Sequence, residues 1–183
     1  MGVQMSFNRA GAVLVAALLT SSMGVLPAQA VANSNDVDGI HITTSTKITT
    51  RAQLNAFLLS DAPKTVTIDA PSGDMLAVTS GLPALDLPTV APLISVSNTC
   101  TTSTSCMLSG MVPYAHFGFS GTGTATGSWP YRSGFRTGSH TAGGYYTLNG
   151  STVCFGPCKM GPNSQVNFQA GQTATGVKVI NYT

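Results

Sequence analysis

The chain contains no glutamate, and charged side chains make up only 8% of its 183 residues. All six acids are aspartates between Asp36 and Asp86, so residues 87–183 contain no carboxylate side chain. Over that stretch the only ionised groups are Arg132, Arg136, Lys159 and Lys178, which is too dilute a set of cations to neutralise a phosphate backbone. Nucleic acid is therefore excluded as a primary partner. Paired carboxylates for glycoside hydrolysis would both have to come from residues 36–86. There is no Gly-x-Ser-x-Gly elbow, no Cys-x-x-Cys pair and no internal repeat. Only His41, His116 and His140 titrate near neutrality, so a Ser-His-Asp set would have to be assembled in space. No enzyme activity, cofactor or metal is expected.

The first thirty residues are expected to be a signal peptide. Arg9 supplies a positive start, Ala10–Leu19 is an apolar run too short to span a bilayer, and Ala28-Gln29-Ala30 has the small-x-small form of a cleavage site. Cleavage after Ala30 would leave residues 31–183, with no membrane span, in an oxidising extracellular compartment. The four cysteines, Cys100, Cys106, Cys154 and Cys158, are then read as disulfides. Four cysteines allow three pairings. The local pairs Cys100–Cys106 and Cys154–Cys158 are favoured because each closes a short, turn-tolerant loop. As zinc ligands their C-x5-C and C-x3-C spacings fit poorly.

The fold class expected is α+β: a short helix and a β-hairpin, followed by a small antiparallel β-rich domain, barrel or sandwich. Val31–Gly39 is polar and turn-rich and reads as a flexible arm. Residues 40–80 form a small α+β part. Ile40–Ile48 is β-branched, and Thr50-x-x-Gln53 is a capping box opening a helix with Leu54 and Leu58 on one face. Pro63 stops that helix near Ala62. Thr65–Asp69 and Met75–Thr79 read as a hairpin around Pro71-Ser72-Gly73-Asp74. Residues 81–112 read as a Pro/Ser/Thr-rich connector carrying one disulfide loop, with an edge strand near Ile94–Val96. Residues 113–183 form an aromatic-rich β domain, since eleven of the thirteen aromatics lie at or beyond Tyr114. Asn149-Gly150 suits the positive φ angles of a type I′ turn, so the Asn149-Gly150-Ser151 sequon is read as a hairpin tip.

Trp129, Tyr131, Arg132, Phe135 and Arg136 are the candidate binding residues. Trp, Tyr and Arg anchor interfaces, and with no acid in this half the two arginines are expected to face a partner. The competing reading makes Trp129 the core of a small β-domain.

Two stretches carry a family resemblance. Thr49–Thr79 (TTRAQLNAFLL…VTIDAPSGDMLAV) and Cys106–Gly143 (CMLSGMVPYAHFGFSG…TGSWPYRSGFRTG…TAG) resemble small secreted actinobacterial proteins of unassigned function. Gly127-Ser128-Trp129-Pro130-Tyr131-Arg132 is the most distinctive part of the likeness. The resemblance implies location and class, and brings no catalytic residue with it. A looser similarity to βγ-crystallin-like inhibitors lacks their acidic calcium-binding signature. The function expected is therefore binding without catalysis, to an envelope polymer or another extracellular protein. The alternatives are an antibacterial factor, a toxin-assembly adaptor, or a protease inhibitor presenting the Cys154–Cys158 loop.

Overall fold

The computed structural model describes residues 32–82 and 94–182. The expected signal peptide and residues 83–93 of the expected connector lie outside them. The described chain is β-rich with one short helix, and its strands join in a single mixed, open sheet.

The first two strands, β1 (Asn33–Val37) and β2 (Ile40–Thr44), form an antiparallel hairpin. This corrects the expectation of a flexible arm over 31–39. Asp38 and Gly39 both have positive φ, at 51° and 80°, which suits a two-residue turn of the primed type. Val37 is buried, and the Asn33 and Asn35 amides donate to the Ser45 and Ile48 carbonyls. A polar strand is held here by its turn and its partners.

Helix α1 (Arg51–Leu59) begins as its capping box requires. The Thr50 hydroxyl accepts from the Gln53 amide at 3.2 Å, and Gln53 Oε1 accepts in return from Thr50 N at 3.2 Å. Leu54 and Leu58 face the core. The helix ends before the proline is reached, at Ser60, whose N–H turns back to the Phe57 carbonyl.

β3 (Lys64–Ile68) and β4 (Met75–Ser80) form the expected hairpin, with Val66 opposite Val78. The edge strand β5 (Ser95–Ser97) pairs with β7 (Phe117–Ser120), which pairs with β6 (Ser105–Ser109). β8 (Gly123–Arg136) is the spine. β9 (Ala142–Leu148) and β10 (Ser151–Cys154) are joined by Asn149-Gly150, both at positive φ, as expected for a hairpin tip. β11 (Ser164–Phe168) and β12 (Ala174–Asn181) complete the chain.

The sheet order β1-β2-β4-β3-β11-β8-β12-β9-β10 joins the N-terminal and C-terminal regions through parallel pairing of β3 with β11. Their register sets Lys64 opposite Ser164. The other parallel pair is β2–β4, and pairing among β6–β12 is antiparallel throughout. One hydrophobic cluster runs from Val37 to Val179, so the α+β part and the aromatic-rich part share a core. Its centre is aromatic. The Phe155, Tyr146 and Phe168 rings lie 4.9–5.0 Å apart, with Phe135 stacked on Phe155 at 6.2 Å.

β8 is bent at the stretch Trp129-Pro130-Tyr131-Arg132. On the β12 side, Gly176 pairs with Trp129 but Ala174 with Arg132, so one extra residue is accommodated on β8. Pro130 has no N–H to give, and Tyr131 takes φ 58°. Before the bulge β8 pairs with β12 alone; Arg132 pairs with β12 and β6, and the residues from Gly134 to Arg136 pair with β6 and β11.

Candidate docking face

Of the five residues singled out in the sequence, four are turned inward. Phe135 is fully buried, and Trp129 packs edge-on against Phe119 with ring centroids 5.0 Å apart. Arg132 and Arg136 are only 4% and 8% exposed, which overturns the expectation that they face a partner. The reason is position: both lie where β8 is flanked by a strand on each side. Tyr131 alone reaches solvent, at 50% exposure, because the bulge rotates it out of the ladder.

Arg132 has a different task. Its Nε donates to the Pro130 carbonyl at 2.8 Å and its Nη1 to the Ala115 carbonyl at 2.7 Å. The guanidinium also lies 5.1 Å over the Phe117 ring. These contacts tie the bulge to the loop that precedes β7. A second tie is the Gly110 N–H, which donates to the Tyr131 carbonyl at 2.8 Å.

The loop so anchored carries three of the six large hydrophobic side chains that stand exposed among the described residues. Met111, Val112 and Tyr114 are 46%, 73% and 66% exposed, beside a cis peptide between Val112 and Pro113. Tyr131 is exposed as well, and its carbonyl accepts from the Gly110 N–H at the start of this loop. Tyr114 also lines an open hollow of about 310 Å³, together with Leu108, Ser109, His116 and Ser133. Sequence reasoning missed Met111, Val112 and Tyr114, although an apolar run between Gly110 and Ala115 in a turn-rich region was a visible signal.

His116 supports the hollow from within. Its Nδ1 accepts from the Ser109 N–H at 3.0 Å, and its ring stacks under Tyr114 at 6.2 Å. Burial, with the Arg132 charge adding to it, holds its pKa below the ordinary 6.5. The neutral ring that Ser109 requires is therefore the favoured form at pH 7. The unfolded chain takes up this proton first as pH falls, so acid below about 6.5 weakens the fold through this group. We expect Tyr114 fluorescence or amide exchange at Ser109 to report loosening of the loop under mild acid, and His116→Gln to reduce that response.

The cysteines pair as expected, Cys100 with Cys106 and Cys154 with Cys158. The second loop does not project: Phe155 is fully buried, and its N–H donates to the Gly144 carbonyl at 2.9 Å. Among the described residues no three of His, Cys, Asp and Glu come together to hold a metal ion, and no helix is long and apolar enough to cross a membrane.

No protein-family model, curated protein or solved structure matches this chain.

Proposed function

We propose that this protein is an exported binding module that docks on another extracellular protein through Met111, Val112, Tyr114 and Tyr131. The observation that carries this reading is the concentration of exposed apolar side chains on a loop whose backbone is held by buried Arg132. Tyrosine and methionine are enriched at interface cores, because they bury large area and adapt to a partner's shape. A loop already held in place loses less entropy on binding than a free one. Export is supported by the signal-peptide features of the first thirty residues and by two disulfides, which persist in oxidising compartments.

A protein partner suits this face better than a polysaccharide. Sugar hydroxyls need hydrogen-bonding groups beside the aromatic rings, whereas Met111 and Val112 offer none. An inhibitor's bait loop is a weaker reading, because the Cys154–Cys158 loop packs Phe155 into the core.

A photo-crosslinker placed at position 114, with one at exposed Thr152 as control, is the direct test. Culture supernatant should yield a discrete protein adduct at 114 alone. The double variant Tyr114→Ser, Tyr131→Ser should abolish capture of that partner by at least tenfold, while shifting stability by less than about 1 kcal/mol. Equal crosslinking at both positions, or capture by purified cell walls alone, would overturn the reading.

A further inference from the structure

Ser34, Asp36 and His41 stand on the same face of the β1–β2 hairpin. Asp36 lies directly opposite His41, and Ser34 lies opposite Thr43, the diagonal neighbour. His41 Nδ1 is 3.1 Å from Asp36 Oδ1, and His41 Nε2 is 3.1 Å from Ser34 Oγ. The Thr43 hydroxyl is farther from Nε2, at 3.4 Å. One imidazole nitrogen thus faces a carboxylate while the other faces a primary hydroxyl.

That order of atoms is what nucleophilic activation needs. With Nδ1–H donating to Asp36, the tautomer is set so that Nε2 accepts the Ser34 proton. All three side chains are exposed, so an incoming reagent has access to Ser34. A two-residue hairpin makes Val37 and Ile40 the first hydrogen-bonded pair. The ladder then alternates, and the Ser34 N–H points away from β2. Because β1 is the outermost strand of the sheet among the described residues, no described strand pairs with this N–H. It is in place to donate to an oxygen that develops negative charge beside its own side chain.

We propose that Ser34, His41 and Asp36 form a surface acyl-transfer site whose substrates are carboxylic esters with good leaving groups. It goes beyond the binding reading and is independent of it. In the reaction, Ser34 Oγ bonds to the acyl carbon as the ester C–O bond breaks. The Ser34 proton passes to His41 Nε2 and then to the departing alkoxide. Water repeats the sequence, giving up a proton to His41, releasing the carboxylic acid and restoring the Ser34 hydroxyl. Amides are poor substrates here, because a single edge N–H in water stabilises their tetrahedral intermediate weakly.

The probes are an alkyl fluorophosphonate and p-nitrophenyl acetate. In the first, Ser34 Oγ bonds to phosphorus as fluoride leaves and the proton moves to His41. Peptide mapping should find one adduct, on Ser34. Ser34→Ala should remove it, and His41→Gln should slow both labelling and ester hydrolysis by about a hundredfold at unchanged melting temperature. His41→Gln keeps a polar side chain on the hairpin, so folding is preserved while the base is lost. Asp36→Asn should slow both several-fold. No adduct, adducts spread over several serines, or labelling that His41→Gln leaves unchanged would overturn the proposal. None of these outcomes bears on crosslinking at position 114.

Discussion

Replacing Arg132 with alanine should destabilise the protein by roughly 3 kcal/mol and abolish partner capture together, whereas the tyrosine variants should abolish capture alone. The side chain is 4% exposed and donates two short hydrogen bonds to the Pro130 and Ala115 carbonyls. Hydrogen bonds from a charged donor contribute about 1.5–3 kcal/mol each, and truncation leaves both carbonyls without this partner. The Phe117 face loses its cation as well. Because Ala115 closes the loop that begins at Gly110, the apolar face should lose its fixed backbone even in molecules that stay folded. Arg132→Lys should recover little, since one ammonium lacks the planar fork that spans both carbonyls. Thermal unfolding and amide exchange at residues 110–116 give the two readouts. A melting temperature within a degree of the parent would refute the structural role and return Arg132 to the exposed, partner-facing position expected from its surroundings in the sequence.

The stability of the protein should rise with pH between 8 and 10.5 relative to a Lys64→Met variant. Lys64 is fully buried; its Nζ donates to the Ser60 carbonyl at 2.6 Å and to Ser164 Oγ at 3.2 Å. It closes the C-terminal end of α1 and binds that end to β11. Burial pushes its pKa down to about 8 from 10.5, with the nearby Asp61 charge opposing the fall. Between those two values the unfolded chain holds the proton and the folded chain does not. Raising the pH therefore favours the fold across this window, and the cost of the buried charge is present in full below 8. The interval corresponds to on the order of 3 kcal/mol. All other titratable groups are common to both proteins and cancel in the difference. Chemical denaturation of both proteins at several pH values measures it. A flat or falling difference would mean that Lys64 is charged and fully compensated where it lies.

What was legible in the sequence was short-range. The Thr50–Gln53 capping box, the β3–β4 hairpin, the Asn149-Gly150 turn and the two disulfide loops each depend on residues a few positions apart, so their chemistry is written in adjacent letters. Asp38-Gly39 carries the same turn chemistry as Asn149-Gly150. Polar β1 lacks the apolar alternation that marks a strand, and only its pairing with β2 and its side-chain bonds to Ser45 and Ile48 make it one.

The tertiary structure decided everything that depends on which distant segment lies alongside. Arg132 and Arg136 look like surface residues in a stretch without acids, yet β6, β11 and β12 close around β8 and bury them. The parallel pairing of β3 with β11 joins positions a hundred residues apart, and it merges two apparent regions into one core. The same long-range pairing leaves Met111, Val112 and Tyr114 outside the sheet, on an exposed loop that no described strand covers. Local hydrogen-bonding and turn preferences are properties of a few consecutive side chains. Burial is a property of the whole assembled sheet, and it assigned Arg132 and Arg136 to the scaffold and Tyr114 and Tyr131 to the surface.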